Sequence, residues 1–151
     1  MLELEVDCAD ERKAKVERLE EIVKLRLEAL SDARGAFETV AQLLVLRPDS
    51  RDYRAHFAEL ATQTRGEERR ADVLIAVARQ ELPRELAAEL LDEAAEVCVL
   101  ALGAPQRAAD LYREVLNLRA DNVVAGLHAG RRLAAMSVSY THLTLPTICS
   151  V

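Results

Sequence analysis

"GAPQRAADLYREVLNLRADN", residues 103–122, holds a turn, a helix and the start of another turn. Gly103 supplies a joint. Pro105 follows where a helix begins, the place at which its missing N–H costs no hydrogen bond. Ala108, Leu111, Tyr112, Val115 and Leu116 then recur at the spacing of one helical face. Asp121 and Asn122 are residue types that cap helix N-termini, so a further helix is expected to start there.

The same pattern extends towards the N-terminus. In "GAFETVAQLLVLRPDS" (35–50), Ala36, Phe37, Val40, Leu43 and Leu44 form a stripe that "RPDS" stops. Before it, Val16, Leu19, Val23, Leu27 and Leu30 mark a helix from Cys8 to Leu30, and "SDA" at 31–33 offers Ser or Asp as the next N-cap. Asp49 or Ser50 caps a third helix with Tyr53, Phe57, Leu60 and Ala61 on one face. Gly66 marks the following turn, and Ala71, Leu74, Ile75 and Ala78 carry a fourth stripe up to Pro83. A fifth helix, Arg84 to Leu102, ends at Gly103, and a seventh runs from Asp121–Asn122 through Leu127 and Leu133. Leu2, Leu4 and Val6 alternate with period two, but as a strand they would have no partner. The expectation is an all-α chain of about seven helices.

Composition agrees. Half of the 151 residues are hydrophobic, yet only 3% are aromatic and Trp is absent, so the core is Ala, Leu and Val on closely packed helices. A net charge of −6 disfavours nucleic acid and anionic membrane as partners. The basic clusters at Arg65–Arg70 and Arg131–Arg132 read as solvated helix ends. Cys8, Cys98 and Cys149 make no CxxC or metal spacing, which fits a reducing, cytoplasmic compartment. The opening "MLELEVDCADERKAK" has acids where a secretory signal has basic residues, and no apolar run approaches the roughly 18 residues of a membrane span.

The breaks are periodic. Ala36, Ala71 and Ala108 are 35 and 37 residues apart, and so are Pro48, Pro83 and Ala120. A single coiled coil would not tolerate prolines at such intervals. A helix pair repeating near 34 residues, with small residues at set places and a closing proline, resembles the tetratricopeptide family. The resemblance rests on 35–50 and 103–122. Gly103 matches the turn between the paired helices, Ala108 the second-helix alanine, Tyr112 the aromatic and Val115 the next small position, and "NLRADN" stands for the closing motif. Ala58, Ala95 and Gly130 fall at or near the small position of the first helices. The likeness covers roughly 9 to 135. It departs from the family in lacking the first-helix Trp and Leu-Gly, in Ala120 for proline, and in insertions near Gly66 and within 84–102.

The resemblance implies an α-α superhelix, a solenoid of antiparallel helix pairs whose first helices line a concave face. Residues 9–48, 49–83 and 84–120 are then three repeats. Residues 1–8 are the end of a truncated preceding repeat, with Cys8 in the register of Pro83, and 121–136 are the first helix of a truncated following one. Self-association is expected at such uncapped ends. From Ser137 to Val151 no charge occurs. "VSYTHLTLPT" (138–147) resembles the translation of a transposase-type sequencing adapter (GTC TCT TAT ACA CAT CTG ACG CTG CCG ACG), so 137–151 is expected to be a non-native, disordered read-through.

No catalytic constellation assembles in the sequence. His56 and His128 lie on different helices, without HExxH, paired Cys or a Ser elbow, and the glycines are scattered at turns. Neither enzyme activity nor a cofactor or metal is expected. The function expected is a non-catalytic scaffold that binds another protein or peptide. The alternative is a sensor arm of an enzyme or regulator whose working domain lies elsewhere. By the family's geometry the concave face carries Asp52, Glu59 and Gln63, then Glu89, Asp92 and Glu96. That face is acidic and lacks the family's basic clamp for a peptide carboxylate, which points to a basic segment as ligand.

Overall fold

The computed structural model describes residues 2–120 and 130–135, with side chains from residue 8. Six helices follow in order: α1 (Leu2–Glu28), α2 (Ala33–Leu46), α3 (Arg51–Thr64), α4 (Glu67–Ala78), α5 (Arg84–Leu100) and α6 (Pro105–Leu118). Residues 130–135 are helical as well. No strand occurs among the described residues, and none of their helices is long and apolar enough to cross a membrane. The fold is all-α. The expected cap at Asp121–Asn122, the first part of the seventh helix and the segment 137–151 lie outside the described residues.

Residues 1–73 and 74–151 form two compact units, with the division inside α4. In the first, α1 packs on α2 and α2 on α3; in the second, α5 packs on α6. Each of these pairs is joined by a turn of four residues, which turns the second helix back along the first.

Side-chain caps set two helix starts where the sequence places them, and a proline marks a third. Asp32 caps α2, its Oδ1 accepting from the Gly35 N–H at 2.9 Å, and Ser50 caps α3 by accepting from the Tyr53 N–H at 3.4 Å. Pro105 stands at the start of α6. The α1 boundary differs from expectation. The helix runs through Cys8 without a turn, since Leu2–Glu28 contains neither Gly nor Pro and is rich in Leu, Glu, Lys and Arg, all strong helix formers. Burial begins only at Val16; Cys8 to Lys15 are exposed.

The helix ends show what Gly66 is for. Arg65, with φ +56°, takes the left-handed conformation that ends α3, and the Gly66 N–H returns to the Ala61 carbonyl at 2.9 Å. Gly66 itself is needed for space: a Cβ there would lie 3.0 Å from the Phe37 ring. Gly103 does serve its turn through the backbone, at φ +58°.

The cores follow the predicted stripes except at four positions: Leu30 lies beyond α1 and is exposed, and Leu27, Tyr53 and Leu116 are only half-buried. Ala36, Phe37, Val40, Leu43 and Leu44 of α2 are buried, as are Phe57, Leu60 and Ala61 of α3. So are Ala71, Leu74, Ile75 and Ala78 of α4, together with Val73 and Val77, which the four-residue stripe omitted. In the second unit Ala108, Leu111, Tyr112 and Val115 of α6 meet an α5 that buries Ala87, Ala88, Leu90, Leu91, Ala94, Ala95, Val97 and Cys98. Alanine on both partners brings the axes close.

Candidate functional site

Successive turns of α1 carry Glu20, Val23, Lys24, Leu27 and Glu28, and these line one side of a groove of ≈ 360 Å³ in the first unit. Leu43 of α2 joins Val23 and Leu27 as an apolar floor, and Tyr53 and His56 of α3 form the opposite wall. The rim carries two carboxylates, Glu20 and Glu28, against one ammonium, Lys24. Tyr53 spans the groove, its hydroxyl donating to the Glu20 carboxylate. Burial of the phenol, then the hydrogen bond to Glu20 and that residue's charge, pushes the Tyr53 pKa up to about 12.

A larger cleft of ≈ 420 Å³ in the same unit is of another kind. Arg34, Arg65 and Arg69 face Glu38, Glu68 and Asp72 around Phe37 and Gly66, and Arg69 is bonded to Glu38 at 3.3 Å. Its charges balance and it offers little apolar surface, so it is the poorer receptor of the two.

The residues expected to line a concave face divide between the units. Asp52, Glu59 and Gln63 are exposed on α3 in the first. Glu89, Asp92 and Glu96 are half-buried on α5 in the second. Within α3 the three share a face by their spacing of 7 and 4, but none of them lines the groove, which uses Tyr53 and His56 from the neighbouring edge of that helix.

The α5 residues are not a bare acidic strip. Arg132 reaches across from the helical segment 130–135, and its Nη1 lies 3.0 Å from Asp92 Oδ1 and 2.6 Å from Glu96 Oε1. The charge of the same guanidinium also acts on the Tyr112 phenol of α6. Burial opposes the charge of Arg132, but the facing carboxylates of Asp92 and Glu96 more than offset it, so its pKa is raised. The Tyr112 phenol is also raised, by burial first, against the lowering effect of the neighbouring Arg132.

Sequence reasoning missed Glu20, Tyr53 and His56 as one wall-to-wall groove, because their meeting depends on how α1 and α3 flank α2. Arg132 was legible in principle. Glu59, Glu96 and Arg132 stand 37 and 36 residues apart, so the period puts Arg132 at the position of Glu96 one repeat on. Reading Arg131–Arg132 as a solvated helix end hid it.

Among the described residues no three His, Cys, Asp or Glu side chains gather as a metal site. No family model, curated protein or solved structure matches the chain.

Proposed function

We propose that this chain is a tetratricopeptide-like interaction module, its helix pairs stacked as a solenoid, and that it holds a basic segment of a partner protein. The observation that carries the reading is the groove between α1 and α3. Its floor of Val23, Leu27 and Leu43 takes an aliphatic side chain, while Glu20 and Glu28 on its rim attract a neighbouring Lys or Arg. In the repeat register α1 and α3 are successive first helices, the place where such modules present a ligand face. Asp52 and Glu59, exposed on α3, extend the negative field beyond the groove. The net charge of −6 argues against nucleic acid in favour of a protein ligand.

Exposed ion pairs are individually weak, so recognition depends on several together and falls as salt rises. The test is selection from a random peptide library by the parent and by a Glu20→Lys/Glu28→Lys/Glu59→Lys variant. Peptides recovered by the parent carry an aliphatic residue beside Lys or Arg, and their binding drops at least about tenfold in the variant, near 1.4 kcal/mol from three exposed pairs. Recovered peptides without basic enrichment, or equal binding by the variant, would sink the proposal.

A further inference from the structure

α1 carries a second line of residues that stays open to solvent. Glu11, Lys15, Arg18, Ile22 and Leu25 recur at intervals of four, three, four and three, and all five are exposed. That alternation is the seam along which one helix meets another. Ile22 and Leu25 are large apolar side chains at 38% and 60% exposure. The residues that α1 buries beside α2, Val16, Leu19 and Val23, are on a different face. Glu20, Lys24 and Glu28, which line the groove, fall on the far side of the helix from this line.

The order of residues along the line is self-complementary. Its middle is charged, acid before base, and Ile22 and Leu25 make its C-terminal end apolar. In the sequence Leu4 and Cys8 continue the same alternation towards the N-terminus, so that end is apolar too. A second copy laid parallel and in register sets Glu11 on Glu11 and Lys15 on Lys15, and such like-charge contacts repel. Laid antiparallel about a two-fold axis at Lys13, the line sets Glu11 opposite Lys15 and Lys15 opposite Glu11, with Leu4 against Ile22 at both ends. Cys8 then falls opposite Arg18. Sliding the antiparallel pair by one heptad puts Lys15 against Arg18 in one direction and against Leu4 in the other.

We propose that this face of α1 is the seam of an antiparallel homodimer, occupied by α1 of a second copy. Covering Ile22 and Leu25 supplies the attraction, and the charge order fixes direction and register. The helix also gains a partner along Cys8 to Lys15, which the chain itself leaves exposed. Pairing through this face leaves the α1–α3 groove of each copy open, so a partner with two basic segments would bind a dimer with added avidity. The seam holds whatever the grooves bind, and its test needs no ligand.

Sedimentation velocity of the full chain should show a species of twice the 16.7 kDa chain mass, rising in fraction with concentration. Glu11→Lys and Lys15→Glu each place two like-charge contacts in the seam, and each should weaken dimerisation at least about tenfold. Mixing the two variants should restore dimers, since each offers the charge that the other lacks. Air oxidation of Arg18→Cys should link Cys8 of one copy to the introduced thiol of the other, as peptide mapping reads directly. A parent that stays monomeric up to about 1 mM, the weak end of the affinity scale, overturns the proposal and leaves the face to another protein. Dimers that the single variants do not weaken, or that mixing does not restore, overturn it as well. A cross-link between two Cys8 residues shows a parallel seam and overturns the pairing.

Discussion

The chain's two phenylalanines find each other, and breaking that contact tests how α2 and α3 are joined. Phe37 and Phe57 are 3% and 0% exposed, with ring centroids 4.6 Å apart and planes inclined by 10°, a stacked pair. Replacing either with Leu nearly conserves apolar volume, so each single variant should cost no more than about 1.5 kcal/mol. Stacking beyond simple burial is worth about 0.5–1.5 kcal/mol, and it is lost in full with the first substitution. The double variant should therefore be less destabilised than the sum of the singles by about that amount. Phe57→Ala, which leaves a cavity at a fully buried site, should cost about 3–5 kcal/mol. The assay is urea unfolding by far-UV circular dichroism, which suits a chain without Trp. Additivity of the two Leu substitutions to within about 0.3 kcal/mol would refute the stack as an energetic unit, and a Phe57→Ala cost below about 1 kcal/mol would refute the burial.

Three further outcomes follow from other contacts. Ala108 is fully buried on α6, so Ala108→Leu should overpack the α5–α6 contact and cost about 1–3 kcal/mol in urea; a variant as stable as the parent would show that the register is wrong. Gly35→Ala ought to gain about 1 kcal/mol from helix propensity alone, but its Cβ would fall 2.0 Å from the capping Asp32 Oδ2, so thermal melts should show no gain or a loss, as large as the roughly 1 kcal/mol that Asp32→Ala costs. Tyr53 has its folded pKa raised to about 12 from 10.0, so its contribution to stability is complete below pH 10 and is lost as pH climbs through 12. Ultraviolet difference titration of parent against Tyr53→Phe should isolate a phenol transition near pH 12, and one near 10 would contradict the Glu20 contact.

The apolar spacing, the caps at Asp32 and Ser50, Pro105 and the interval between Ala36, Ala71 and Ala108 make the helices and their buried faces readable without coordinates. These are local properties, set by the 3.6-residue turn and by backbone groups that need a nearby partner. Where local rules allow two answers, sequence misleads. Nothing in Leu2–Glu28 states whether one helix or two are present, and Gly66 marks its turn in the sequence but gives no sign of the Phe37 ring packed against it. What only tertiary structure decided is which side chains from distant segments meet: Phe37 with Phe57, Tyr53 with Glu20, and Arg132 with Asp92 and Glu96. A helical periodicity tells each residue which face it is on, but not the rotation and offset at which two faces pack. Those follow from how ridges of differing size interlock, and they determine whether a carboxylate on α5 meets solvent or an arginine.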